Sequence, residues 1–247
     1  AAADELERAI GKLGLKGMQI GSNINGKNLD DPEFEPVWAV ANTHNAFCMV
    51  HPNNVAGLDR MKSYYLNNLI GNPLDTTIAT ACLIFGGVTQ RHPAIKFFMV
   101  HGGGFAPYQA GRFSHGWNVR QEPRAKLVVP PDASLATLYY DTILHARPQL
   151  ECLLGLVGSS RVVLGSDYPY DMGTFECARQ VKALSVSDAD KATILNGQVQ
   201  KMMAEYQAKR YEVDIIDGTV SPTMVRRANL LQRFHSPVLA EYPAELK

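Results

Sequence analysis

Three short motifs place ionisable side chains directly after runs of apolar residues. The motifs VHP, VHGGG and GSDYP contribute His51, His101 and Asp167. If each apolar run is a parallel β-strand, the three side chains meet at the carboxyl edge of one sheet, where α/β folds build their active sites. Imidazole and carboxylate groups are suitable ligands for zinc and similar divalent ions. The spacing therefore predicts one metal site, in which His101 is a ligand or a general acid/base.

Each of these residues also has a structural interpretation. His51 could cap the end of a barrel, His101 could be incidental to a glycine-rich turn, and Asp167 could cap the segment that follows it. The coincidence of three polar strand ends favours the functional interpretation. A further candidate is Arg112, whose guanidinium could bind a substrate carboxylate through two hydrogen bonds. For Arg112 the alternative is ordinary pairing at a surface or interface.

The elements that must position these residues alternate along the chain. Short apolar runs predict strands at residues 17–22, 46–51, 96–101, 138–142 and 161–165. Amphipathic patterns predict helices at residues 3–13, 35–43, 55–70, 74–89, 148–157, 175–183 and 188–210. Residues 105–134 are expected to be a long irregular stretch, which is usually functional or an oligomer contact. This alternation predicts an α/β fold with a parallel sheet, closed as a barrel or open and doubly wound.

The composition excludes several classes of partner. The 247 residues carry 24 basic and 24 acidic side chains, so a nucleic-acid or membrane-surface footprint is not expected. No apolar run approaches the roughly 18 residues of a membrane span. The four cysteines form no CxxC pair, and we expect buried, reduced thiols in a cytoplasmic protein. Residues 1–210 are expected to form a barrel domain, and residues 211–247 an extension that packs on it or on a partner.

The motifs together resemble the amidohydrolase-2 family, in the branch of the aminocarboxymuconate-semialdehyde decarboxylases and related aromatic acid decarboxylases. The segments that carry the resemblance are residues 17–38, 50–52, 100–117 and 161–173. They occur in the family's order and span about three-quarters of the chain.

The resemblance implies a (β/α)8 TIM barrel with one divalent metal ion, usually zinc. It assigns His51 and Asp167 as metal ligands and His101 as the general acid/base. It also assigns Arg112 as an arginine that reaches the substrate carboxylate across a dimer interface. The implied activity is the non-oxidative decarboxylation of an aromatic or unsaturated carboxylic acid by a homodimer or higher homo-oligomer.

The chain departs from the family pattern at its beginning. The family's first strand carries a His-x-His pair that supplies two more ligands, and this sequence contains no His-x-His. The chain opens on a helix that the family places in mid-barrel, so we expect a barrel that is incomplete at its N-terminus. Two other functions therefore stay open. One is metal-dependent hydrolysis of a lactone, ester or amide, and the other is binding or assembly by a truncated barrel without catalysis.

Overall fold

A parallel β-sheet forms the centre of the molecule. The computed structural model describes residues 1–168 and 170–195. The strands within that part of the chain are β1 Gly17–Gly21, β2 Asn23–Ile24, β3 Lys27–Asn28, β4 Phe47–His51, β5 Lys96–Met99, β6 Tyr139–Asp141 and β7 Val162–Val163. Five of them form one sheet in the order β1-β4-β5-β6-β7, with every neighbouring pair parallel. The carboxyl ends of these five strands consequently share one edge of the sheet.

Helices connect the strands. The α-helices are α1 Ala2–Leu13, α2 Glu35–Thr43, α3 Asn72–Phe85, α4 Val88–Arg91, α5 Ala110–Val119, α6 Pro131–Leu135, α7 Arg147–Val157 and α8 Cys177–Lys182. The backbone is helical again over residues 188–195. Helix α1 ends at Gly14, which has φ 77° and ψ 10° and donates its N–H to the carbonyl of Ile10, while Leu15 donates to that of Ala9. Such left-handed glycines are a common way to end a helix.

The two faces of the sheet differ in burial. Along β4, Cys48 and Val50 are fully buried, whereas Phe47, Met49 and His51 are half-buried. Successive side chains of a strand point to opposite faces, so one face packs under the helices and the other carries His51. On the packed side, the buried indole of Trp38 donates its Nε1–H to the carbonyl of Leu29 at 3.0 Å. The core of the described residues therefore lies between the sheet and its helices.

A polar contact joins α2 to the end of α4. The carboxylate of Glu35 accepts hydrogen bonds from His92 at 2.7 Å and Arg91 at 3.0 Å. These bonds hold the pKa of Glu35 below its ordinary 4.5. The bond from Arg91 has the largest effect, and the bond from His92 adds to it, whereas burial acts in the opposite direction.

The parallel α/β sheet and its five strands were predicted correctly, but the helix predicted at 55–70 is wrong. A 3-10 turn at Leu58–Arg60 and a π-helix at Asn67–Gly71 stand there instead. Tyr64 and Tyr65 between them both have φ 59°. Backbone in the left-handed region cannot continue a right-handed helix, so the helix that the apolar pattern predicted does not form.

Two further predictions need correction. The helix expected at 74–89 is interrupted at Gly86 and Gly87, because Gly87 takes φ 74°. The stretch 105–134 is not irregular throughout, since it contains α5, α6 and a 3-10 turn at Glu122–Arg124.

The cysteines were expected to be buried throughout. Cys48 and Cys177 are buried, but Cys82 is half-buried and Cys152 is exposed on α7. The remainder of the helix expected at 188–210, and the division between residues 1–210 and 211–247, lie outside the described residues. No helix within the described ranges is long and apolar enough to cross a membrane.

Candidate metal centre

The three side chains singled out by the motifs lie together at the carboxyl edge of the sheet. Ligand atoms of His51, His101 and Asp167 all lie within 4.8 Å of one another. The two imidazole rings have centroids 5.4 Å apart and planes inclined by 71°. His101 Nε2 is 3.8 Å from Asp167 Oδ1, and both side chains are largely buried. The cluster is compact because β4, β5 and β7 all end at this edge.

His51 is oriented by its own backbone neighbour. It is the last residue of β4, and its Nδ1 lies 3.0 Å from the carbonyl oxygen of Pro52. A carbonyl oxygen only accepts hydrogen bonds, so this contact requires a proton on Nδ1. The lone pair of Nε2 is then available to a metal ion, as in other histidine ligands whose second nitrogen is held by an acceptor.

His101 stands at the start of a turn with unusual backbone geometry. Four successive residues have positive φ, 56° at His101 and 60°, 78° and 63° at Gly102, Gly103 and Gly104. A Cβ atom on the three glycines would lie 2.5 Å from Leu144 Cδ2, 2.6 Å from Tyr140 Cε1 and 2.1 Å from the Pro73 carbonyl oxygen, respectively. The glycines therefore allow a sharp turn packed closely against the protein itself.

A buried carboxylate below the cluster was missed from the sequence. Asp141, the last residue of β6, is 5% exposed. Its Oδ2 accepts the backbone N–H of His101 at 2.8 Å, and its Oδ1 accepts those of Gly102 at 2.8 Å and Ile143 at 3.0 Å. The signal was present, because LYYDT is another apolar strand that ends in an ionisable residue.

A second buried carboxylate ties the neighbouring loops. Asp75, on α3, accepts hydrogen bonds from Ser22 Oγ, from Asn23 Nδ2 at 3.0 Å and from the backbone N–H of Ala56 at 3.1 Å. Ser22 and Asn23 follow β1, and Ala56 belongs to the loop after β4. These bonds hold together two loops at the edge of the sheet where His51 lies.

The two histidines have opposite electrostatic surroundings. Burial lowers the pKa of His51, and the neighbouring His101 lowers it further. Burial acts in the same direction on His101, but Asp167 and Asp141 outweigh it, so the pKa of His101 is raised. Burial raises the pKa of Asp141, against the opposing effects of His101 and the backbone N–H groups. The pKa of His51 is thus shifted towards the neutral ring, and that of His101 towards the protonated ring.

The donor set fits one divalent ion. Metal–ligand bonds of about 2.1 Å keep the ligand atoms of one ion within about 4.2 Å of one another. Small side-chain rotations in the cluster of His51, His101 and Asp167 would reach that spacing. The nitrogen of His51 and the oxygen of Asp167 suit zinc and other first-row divalent ions, with His101 beside them.

Two loops meet beside the cluster. The hydroxyl of Tyr65, from the segment after β4, lies 3.1 Å from both carboxylate oxygens of Asp171, from the segment after β7. The ring of Tyr170 has its centroid 6.5 Å from that of His51. The fourth residue singled out from the sequence, Arg112, is not part of this cluster; it is exposed on α5.

Known proteins share this sequence pattern and fold. A 2-amino-3-carboxymuconate-6-semialdehyde decarboxylase of Dictyostelium discoideum is 38% identical over 199 residues, which cover 80% of this chain and 55% of that protein. Among solved structures, the 5-carboxyvanillate decarboxylase LigW from Sphingomonas paucimobilis superposes with a TM-score of 0.73 at 22% identity, covering 81% of this chain and 61% of that one. A dihydroxybenzoic acid decarboxylase from Polaromonas, with bound manganese and 2-nitroresorcinol, gives 0.72 at 20% identity, covering 84% and 66%.

The structural likeness confirms the prediction of an α/β fold of the TIM-barrel type. An eight-stranded barrel needs three strands more than the five that the described residues place in the sheet. The chain spans somewhat more than half the length of the curated relatives that it matches. Residues 1–197 match the family described as amidohydrolase (Amidohydro_2). The chain therefore belongs to the amidohydrolase family.

Proposed function

We propose that His51, His101 and Asp167 form the core of a divalent-metal site, with His51 and Asp167 as ligands and His101 as the general acid/base. The observation that carries the proposal is the approach of their ligand atoms to within 4.8 Å at one edge of the sheet. Zinc is the expected ion because imidazole nitrogen suits it. Manganese is the main competitor, since a Polaromonas decarboxylase of the same fold holds it.

The reaction that we propose is non-oxidative decarboxylation of an aromatic or unsaturated carboxylic acid. The Dictyostelium and Caenorhabditis elegans relatives, 38% and 30% identical, are both named 2-amino-3-carboxymuconate-6-semialdehyde decarboxylases. A bound divalent ion would supply positive charge that orients the substrate oxygens and stabilises negative charge that develops on them.

The side chains of the site would carry the proton. The imidazolium of His101, which Asp167 and Asp141 favour, donates a proton to the carbon that bears the carboxylate. The bond between that carbon and the carboxylate then breaks, its electron pair returns to the unsaturated system, and CO2 leaves. His101 regains a proton from water. The substrate acid thus exchanges its carboxylate for one hydrogen, and no oxidant is consumed.

Arg112 and the oligomer belong to the same proposal. An exposed arginine on α5 is available to a second copy of the chain, and its planar guanidinium suits a carboxylate. We therefore propose a homodimer or higher homo-oligomer in which Arg112 anchors the substrate across the interface. The oligomer mass measured at two protein concentrations tests this assembly, and Arg112→Ala is expected to raise KM more than it lowers kcat. A location in the cytoplasm stays a prediction.

The experiment that tests the metal site is quantification of bound metal on the purified chain. His51→Ala and Asp167→Ala are each expected to weaken zinc binding at least tenfold, because each removes one ligand. His44→Ala is the matched control, since His44 pairs with Glu7 and lies outside the cluster. Equal zinc affinity in all four proteins would overturn the assignment of ligands.

Release of CO2 from candidate acids by the zinc- or manganese-loaded chain tests the reaction, and full activity in His101→Ala would refute the role of His101. Hydrolysis of lactones, esters or amides that depends on Asp167 but not on Arg112 would identify the second function. The absence of stoichiometric metal and of turnover would leave a binding or assembly role.

A further inference from the structure

Asp141 has no part in the cluster of ligand atoms, although it lies beside it. Among the described residues, that cluster consists of His51, His101 and Asp167. The two oxygens of Asp141 instead accept three backbone N–H groups, and two of these belong to His101 and Gly102. The position of this carboxylate is therefore defined by the main chain of the turn rather than by the ligands.

The turn that Asp141 contacts is strained at its first residue. His101 has φ 56°, a left-handed conformation that costs a residue with a Cβ about 1–2 kcal/mol. Such a conformation persists only where the surroundings impose it. The N–H groups of Gly103 and Gly104 bond within the turn, to the carbonyls of Val100 and His101, and do not attach the turn to the rest of the molecule.

The start of the turn depends on Asp141 for attachment. The N–H groups of His101 and Gly102 point to the two oxygens of one buried carboxylate, each at 2.8 Å. The two bonds fix the orientation of the two peptide groups that flank His101, and with them the direction of the His101 side chain. Bonds to a charged acceptor are about twice as strong as neutral ones.

We propose that Asp141 is the positioning residue of the site: it holds the left-handed turn at His101 and so directs the imidazole towards His51 and Asp167. The catalytic purpose of this orientation rests on the proposed function. The attachment of the turn to Asp141 does not, and it can be measured without activity. Asp141 touches neither the substrate nor the ion in this role and acts only through His101.

The first test is amide hydrogen exchange on the purified chain without added metal. In the wild type, the amides of His101 and Gly102 are expected to exchange as slowly as those of the central strands, although they lie in a turn. This measurement needs no variant, so it stands even where a substituted protein fails to fold. Exchange of both amides at the rate of an exposed loop would overturn the proposal.

The matched pair of variants is Asp141→Asn and Asp75→Asn. Asparagine keeps the shape of the side chain but turns one acceptor oxygen into a donor, so at least one N–H loses its partner. In Asp141→Asn, the amides of His101 and Gly102 are expected to exchange at least about tenfold faster. Asp75→Asn, equally buried, should accelerate Ala56 and leave the turn unchanged. If the amides of His101 and Gly102 exchange at the wild-type rate in a folded Asp141→Asn variant, the proposal is refuted.

Two measurements on Asp141→Asn distinguish a positioning role from a purely structural one: the NMR signal of the His101 ring and the effect on kcat and KM. The NMR signal of the His101 ring is expected to shift in Asp141→Asn, while that of the exposed His115 stays in place. In the metal-loaded chain, kcat should fall about 10- to 100-fold with KM within about twofold, as for other residues that orient a functional group. A fall in kcat together with a rise in KM, with the NMR signal of the His101 ring unchanged, would contradict a positioning role for Asp141. If the wild type releases no CO2, the proposed function fails, and hydrogen exchange still decides the role of Asp141.

Discussion

Alanine at Gly102 is expected to destabilise the protein far more than alanine at another glycine of the same backbone conformation. Gly102 has φ 60° and ψ 20°, and Gly14, at the end of α1, has φ 77° and ψ 10°. A Cβ at Gly14 meets nothing within 4 Å. A Cβ at Gly102 would lie 2.5 Å from Cδ2 and 2.6 Å from Cγ of Leu144. The two substitutions therefore share a backbone effect and differ in a steric one.

The magnitudes follow from these two effects. An alanine in the left-handed region costs about 1–2 kcal/mol, and this is the whole loss expected for Gly14→Ala. At Gly102, forcing a methyl group against Leu144 adds about 1–3 kcal/mol of overpacking. The total expected for Gly102→Ala is about 2–5 kcal/mol, a large fraction of the 5–15 kcal/mol that is typical of a domain.

Urea unfolding of both variants, analysed by linear extrapolation, measures the difference. The double substitution Gly102→Ala with Leu144→Ala provides an internal check. It removes the colliding side chain and should recover part of the loss relative to the sum of the single changes. Gly102→Ala should also lower kcat in the metal-loaded chain, because the turn carries His101, the proposed general acid/base. The reasoning is refuted if Gly14→Ala and Gly102→Ala lose the same unfolding free energy, or if the double variant shows simple additivity.

Three other outcomes are expected. Glu35→Gln should lower the unfolding free energy by about 0.5 kcal/mol at neutral pH, because this half-exposed ion pair is screened by water. Folding lowers the pKa of Glu35, so its contribution to stability is complete above pH 4.5 and is lost as the pH falls through the folded pKa. In urea titrations, the difference in unfolding free energy between wild type and Glu35→Gln should therefore be smaller at pH 3 than at pH 6. Burial raises the pKa of the Cys48 thiol, so Ellman's reagent should modify exposed Cys152 rapidly and Cys48 only on unfolding, as mass spectrometry can show. Trp38→Phe should cost about 1–3 kcal/mol more than Trp117→Phe in urea unfolding, because only Trp38 has an indole N–H with a hydrogen-bond acceptor in the described structure.

The sheet and the meeting of the site residues could be predicted because both depend on local pattern and a general rule. Each apolar run is short and followed by a helical pattern, which indicates parallel strands. Parallel strands in one sheet place their carboxyl ends at one edge, so His51, His101 and Asp167 were expected at the same edge if the runs were strands. The roles of these residues remain predictions, since their proximity alone does not assign them.

Other features could not be predicted because they depend on contacts between distant residues. The attachment of His101 to Asp141 joins positions that are 40 apart in the sequence, and only the register of β5 beside β6 brings them together. The failure of the helix at 55–70 has a different origin. Tyr64 and Tyr65 adopt a left-handed backbone that aromatic residues rarely choose, and nothing in their chemistry signals it.

The order of the strands has a consequence for how the molecule is assembled. The spatial order β1-β4-β5-β6-β7 is also the order along the chain, so no strand of this sheet must be inserted between two that have already paired. During synthesis, each strand can dock on the one made before it as soon as it emerges. Asp167 follows the last strand, and the three side chains are complete only when β7 is in place. A divalent ion held by His51 and Asp167 would therefore stabilise the folded state only after β7 has docked.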